Sequence, residues 1–183
     1  MSKKKKWTII GTSIVMLYLL ISWFFPFHFY SMIKTFTFSP EKKIVENYNN
    51  YLKDFKNRNE IEKIYEDYNI NLEKIMRMYE QDWLISKNEK SIHIDDIDYI
   101  LYAIRYGKRH LLDLFNSEYI SDEADRYLIS VIGDLDFIEQ SLYDLKYNSK
   151  NRYWLSKRLN SLQDSFYRNL QSFDMFLYMA FKK

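Results

Sequence analysis

In the stretch SIHIDDIDY, His93 stands beside Asp95, Asp96 and Asp98, a donor set that could bind a divalent cation or move protons. A metal site on a helix needs ligands three or four positions apart on one face. Only Asp95 and Asp98 have that spacing, and the histidine falls in the turn before them. The same residues suit a helix start, where carboxylates meet the positive end of the dipole. Asp134 with Asp136, and Asp122 with Glu123 and Asp125, are acid-rich but do not stack on one face with a histidine. No Glu-x-x-His pair occurs, so the di-metal pattern of ferritin-like bundles fails. The absence of cysteine removes disulfides, thiolate metal sites and thiol nucleophiles. These patterns predict no catalytic residue, no metal and no cofactor. Acid–base chemistry by carboxylates converging from separate helices stays open as an alternative.

RYGKRH is a basic patch, in which Arg105 and Arg109 share a helical face suited to a phosphate or an acidic partner. Pairing with an acidic helix would make it an ordinary solvated face. Tyrosine is abundant: 17 in all, 15 of them beyond residue 33. Tyr65, Tyr68 and Tyr79 fall on apolar stripes and read as half-buried core, whereas Tyr99, Tyr102, Tyr106, Tyr143 and Tyr147 flank the stripes. Tyrosine offers large contact area at small entropic cost, so the flanking set is a candidate binding surface.

The first element that must position these residues is at the N-terminus. Trp7 to Phe25 carry no formal charge over 19 residues, about 28 Å of helix against a hydrocarbon core of about 30 Å. Trp7 at one end and Trp23 with Tyr30 at the other suit the two interfaces, and Pro26 ends the helix near Phe25. A cleavable signal has a shorter apolar region and small residues at the cut, but here FFPFHFY follows. The segment reads as an uncleaved anchor. Lys3, Lys4, Lys5 and Lys6 crowd its start, against the more dispersed Lys34, Lys42 and Lys43. That asymmetry favours an N-terminus inside and the bulk of the chain outside the cytoplasm.

The chain therefore divides into a basic cytoplasmic tail (1–6), an anchor with interfacial segment (7–33) and a 150-residue domain (34–183). The domain carries 23 basic against 25 acidic residues, so a nucleic-acid role by net charge loses its support. Its only proline is Pro40 and its only glycines are Gly107 and Gly133, too few turn residues for a mainly β domain. Ser39-Pro40-Glu41 starts a helix with Ser39 as the cap, followed by the stripe Ile44, Tyr48, Leu52 and Phe55. Asn57, Arg58 and Asn59 break the phase, and a run from Ile61 to Tyr79 continues to the polar SKNEKS. Later stripes are Ile97–Leu114, with Gly107 on the stripe, Leu128–Leu145 after Ser121-Asp122-Glu123, and Leu155–Leu177. Alternating threes and fours make the seam of antiparallel bundles and coiled coils.

The expected fold is all-α: an N-terminal transmembrane helix, then an antiparallel bundle of four helices, or five if Ile44–Phe55 folds separately. Counting four helices brings the C-terminus back to the lipid, where Phe176, Tyr178 and Phe181 would meet headgroups and Lys182 and Lys183 would meet anionic lipid; a partner contact or closure of the core's end are the alternatives. The expected function is a membrane-tethered, non-enzymatic interaction module of a bacterial cell envelope, an assembly subunit or an immunity-type factor. Its partners would be the bilayer and another envelope or membrane protein. An envelope enzyme using convergent carboxylates and a structural spacer are the alternatives.

Overall fold

A computed structural model describes residues 3–58, 72–115, 122–148 and 151–181. They are mostly helical, and the first helix, α1 (Lys3–Phe24), is long and apolar. It stops just before Phe25, whose helical geometry is disfavoured by Pro26. Two short strands then qualify the all-helical expectation. β1 (Thr35–Phe38) alternates Thr with buried Phe36 and Phe38, the period of a half-buried strand. β2 (Lys90–His93) pairs with it antiparallel, Phe36 opposite Ile92 and Phe38 opposite Lys90. The partners are far apart in sequence, so the pair needs no glycine-rich hairpin turn, and turn counting misses it.

α2 (Lys42–Lys56) buries Val45, Tyr48, Leu52 and Phe55. Ser39 does not cap it: its hydroxyl donates to Glu89, while Glu41 takes the N-cap position with no side-chain bond. The helix ends at Lys56 with Asn57 as C-cap, so the Ile44–Phe55 run folds separately. The expected run from Ile61, with Tyr65 and Tyr68, lies outside the described residues up to Ile70. Its described remainder is broken into α3 (Leu72–Met76) and α4 (Asp82–Ile85). Side chains hold two carbonyls at the break. The carbonyl of Tyr79 accepts from the Tyr48 hydroxyl at 2.7 Å, and that of Met78 from the Gln81 amide at 3.0 Å. Side chains occupy acceptors that a continuing helix would use.

The three long helices follow their stripes. α5 (Asp96–Phe115) buries Ile97, Ile100, Ile104, Gly107 and Leu111. α6 (Asp122–Tyr147) fully buries Leu128, Val131, Leu135, Ile138, Leu142 and Leu145. α7 (Arg152–Phe181) buries Leu155, Leu159, Leu162, Phe166, Leu170, Phe173 and Leu177, and Asn151 caps its start by accepting from the Trp154 amide. Ser121, and the side chains of Leu114 and Asp122, lie outside the described set.

Cross-contacts give the helix directions. Arg158–Ser141 and Asn169–Val131 make α7 antiparallel to α6, while Lys146–Asp98 and Lys108–Asp136 make α6 antiparallel to α5. Glu41–Asn160, Tyr51–Asp174 and Arg58–Asp174 make α2 parallel to α7. The α3–α4 segment runs back, with Tyr79 at Asn169 and Trp83 at Gln163. Five segments thus alternate in direction, and Arg152 at the start of α7 touches Trp23 at the end of α1. The four-helix count is therefore corrected, and the C-terminus lies at the opposite end. Phe176 is about 36 Å along α7 from Arg152 at helical rise.

Buried polar groups tie these segments together. Asn169 accepts from the Tyr79 hydroxyl at 2.6 Å and donates to the Val131 carbonyl at 2.9 Å. Near the far end, Asp174 accepts two bonds from the Arg58 guanidinium and one from Tyr51. Burial and the Asp174 carboxylate push the Tyr51 hydroxyl up to about 12, with Arg58 opposing.

Two variants of the full chain in detergent test this packing. A Cβ on Gly107 would lie 2.5 Å from the Met78 sulfur, so Gly107→Leu should cost on the order of 1–3 kcal/mol in thermal unfolding. Gly107→Ala should cost less, because the flexible Met78 end can swing aside and alanine favours the helix. A Leu variant melting no lower than the parent contradicts this contact. Asn169→Ala leaves the buried Tyr79 hydroxyl unpaired and removes the tie to the Val131 carbonyl, and should cost about 2 kcal/mol.

Candidate functional site

The basic patch on α5 meets an acidic face of α6. Arg105 donates to Glu139 at 2.7 Å, with its guanidinium 5.3 Å from the Tyr143 ring centroid. Lys108 bridges Asp136 at 2.6 Å and Glu139 at 2.8 Å. Burial would raise the Glu139 carboxyl, but hydrogen bonds and charge from Lys108 and Arg105 hold it below the usual glutamate value. Burial would lower Lys108, and its two acid partners more than compensate. Arg109, one turn beyond Arg105, is exposed. The two arginines therefore do not form a matched clamp: Arg105 is held by α6 and Arg109 faces solvent.

The histidine–aspartate group organises a helix start. Asp96 accepts from the His93 backbone amide at 2.6 Å, and the Asp95 amide donates to His93 Nδ1 at 3.3 Å. Among the described residues, no three or more His, Asp or Glu side chains gather as a metal would require. Asp136 is consumed by Lys108, and Asp134 stands exposed on α6. Phe176 is fully buried and Tyr178 is partly exposed at the end of α7 remote from α1. The Phe181 side chain, Lys182 and Lys183 lie outside the described residues. The expectation that this group meets lipid rested on the four-helix count, and the observed directions remove that support.

The flanking tyrosines separate into two kinds. Tyr99, Tyr102 and Tyr147 are exposed, at 74%, 68% and 68%, whereas Tyr106 and Tyr143 are half-buried. Tyr102 stacks on Tyr106 with rings 6.0 Å apart, and Tyr143 on Tyr147 at 6.2 Å. These pairs follow from i, i+4 spacing, which puts side chains one above the other on a helix.

A cleft of about 370 Å³ opens between α4, β2 and α5, and sequence reading missed it. Trp83, Ile92, Ile100 and Ala103 give it apolar walls, and Tyr99 stands at its side. Trp83 is held by its indole N–H donating to Gln81 at 2.9 Å, and Lys90 pairs with Asp82 at 2.7 Å. Its lining mixes these apolar walls with Asp82, Lys90 and Asp96, and it can receive an apolar side chain. Three separate segments converge on it because the chain breaks between α3 and α4. The isolated Trp83 in a short polar context was the one local signal.

At the α1 end, Arg152 donates to the Trp23 carbonyl, and its guanidinium lies 4.6 Å from the Trp23 ring centroid and 5.8 Å from that of Phe36. Burial holds the Arg152 guanidinium below its ordinary value. α1 is long and apolar enough to cross a membrane, a property that an N-terminal signal sequence shares. Unlike the other long helices, it buries only Ser22.

The ion-pair cluster gives a pH prediction. A depressed carboxylate contributes stability above its unfolded value, about 4.3, and that contribution is lost as pH falls through the folded value. Glu139→Gln should cost about 1 kcal/mol at neutral pH and less in acid, read from melting temperature across pH. An equal cost at every pH would mean that the Glu139 charge contributes nothing. Comparison of the chain with protein-family models, curated proteins and solved structures finds no match.

Proposed function

We propose that this protein is a membrane-tethered, non-enzymatic interaction module: a single-pass anchor with its N-terminus inside, carrying a helical bundle outside the cytoplasm. The observation that carries the reading is α1. Its apolar side chains, Trp7 at 74% exposure among them, are left uncovered by the folded body while every other long helix buries its stripe. Such a surface must be covered, and a bilayer matches its length. The four lysines at its start favour the stated orientation.

Carboxylate catalysis has less support. Asp136 and Glu139 both engage Lys108, Asp174 is paired with Arg58, and at the cleft Asp82 pairs with Lys90 while Asp96 accepts from the His93 amide. A passive spacer would present a polar exterior, whereas Tyr99 and Tyr102 expose aromatic surface on α5 beside the apolar cleft. That combination suits a protein partner in the envelope, either an assembly subunit or a target that an immunity-type factor intercepts.

Two measurements test the reading. Protease added to spheroplasts should digest the domain and leave the N-terminus protected. A domain that survives while the spheroplasts stay sealed reverses the orientation. A photo-crosslinking residue at Tyr102 should then give a discrete adduct in native cells, and one at the exposed Tyr178 end should not. Identical adduct patterns at both positions would argue against a specific face.

A further inference from the structure

The segment between α1 and β1 does not lead straight away from the helix. Successive turns, His28 N–H to the Phe25 carbonyl at 3.2 Å and Ser31 N–H to the His28 carbonyl at 2.9 Å, fold it back. The Tyr18 hydroxyl donates to the Tyr30 carbonyl at 2.6 Å, although Tyr18 lies six residues before the helix end. Ser31 donates through its hydroxyl to the Ser22 carbonyl at 2.9 Å, and the Met32 amide donates to the Ser22 hydroxyl at 3.3 Å. Residues 30–32 therefore lie alongside the last turns of α1, not beyond them.

Two features of this segment go together. Several of its backbone polar groups are paired from within: the Ile33 amide donates to Ser31, and Lys34 reaches back to the His28 carbonyl at 2.6 Å. Phe27 is buried in the core, whereas Phe29 at 88% exposure and Met32 at 73% are turned outward, as are Trp23 and Phe24 of the helix. A folded-back segment that pairs several of its backbone groups internally and displays Phe29 and Met32 is suited to the membrane boundary, where unpaired amides are costly and aromatic rings settle. If the span of α1 fills the hydrocarbon core, the level of Tyr18 and Ser22 is at or inside its outer edge.

We propose that residues 25–33 form a lipid-inserted wedge in the leaflet from which α1 emerges, with Phe24, Phe29 and Met32 buried at the boundary between headgroups and acyl chains. The proposal rests on the reading of α1 as a membrane anchor. It adds a second point of insertion beside the helix, so the domain is seated on the bilayer rather than swinging from a single stalk. Arg152, clamped on Trp23, passes that seating to the start of α7.

The chain has no cysteine, so single-cysteine variants of the full-length protein can each carry one fluorescent probe. Ile14→Cys reports the middle of the span, Phe29→Cys and Met32→Cys the wedge, and Tyr99→Cys the domain. Each is reconstituted in phosphatidylcholine–phosphatidylglycerol vesicles with nitroxide lipids bearing the quencher either near the headgroup or deep in the chain. Positions 29 and 32 should be quenched at least half as strongly as 14, with a preference for the shallow quencher, and 99 should be spared. Tyr18→Phe, which removes the fold-back bond, should reduce quenching at 29 without changing it at 14. Quenching at 14 with 29 and 32 behaving like 99 overturns the wedge and leaves the anchor standing. No quenching at 14 overturns the anchor and the wedge together. Strong quenching at 99 as well would place the whole domain on the surface and overturn a distinct wedge.

Discussion

The Tyr48 hydroxyl bonding the Tyr79 carbonyl at 2.7 Å is the contact on which the arrangement of the domain depends. It takes an acceptor that a continuing helix would have used and fixes the break between α3 and α4. Tyr79 then spans the core, its ring stacked 6.0 Å from Phe173 and its hydroxyl bonded to Asn169. Such a buried phenol must satisfy its hydroxyl, so the same residue that breaks one helix pins another. Burial pushes both Tyr48 and Tyr79 well above the ordinary phenol value, which keeps these donors protonated. The α3–α4 segment runs back along α7 from Asn169 to Gln163, toward the end where β2 pairs with β1.

The charged surface follows from helix register. α5 and α6 run antiparallel with Lys108 level with Asp136 and Lys146 level with Asp98, so a basic face meets an acidic one. Exposed pairs of this kind contribute little individually. Glu139 differs because it is largely shielded and takes both Arg105 and Lys108. Arg105 and Lys108 are therefore already engaged, whereas Arg109 and the aromatic surface of Tyr99 and Tyr102 on the same helix are exposed. Tyr99 belongs to that surface and to the cleft wall, which links the two features in one region.

The α1 end combines three ties of different type. Serine hydroxyls and the Tyr18 phenol hold the returning loop, Arg152 holds α7, and β1 continues directly into the sheet. In water the exposed Phe29 and Met32 would be a liability, whereas next to an apolar helix they extend a single apolar surface. The opposite end is tied by ionic chemistry instead, through Arg58 and Asp174, where α2 and α7 run side by side.

The sequence by itself determined the long uncharged α1 and the buried stripes of α5, α6 and α7, though not Leu101, which is buried beside the α5 stripe. Each is a property of neighbours three and four positions apart, which helical geometry converts directly into a face. It also showed Gly107 on a buried stripe and the acidic start of α5. Only the tertiary structure decided the strand pair, the break at Met78 and Tyr79, the cleft at Trp83 and the direction of α7. Tyr48 reaches Tyr79 across 31 positions and Tyr79 reaches Asn169 across 90. A local period carries no trace of such bonds. The placement of Phe176 depended on segment count, and that count turned on α2 ending at Asn57 and the α3–α4 segment running back beside α7.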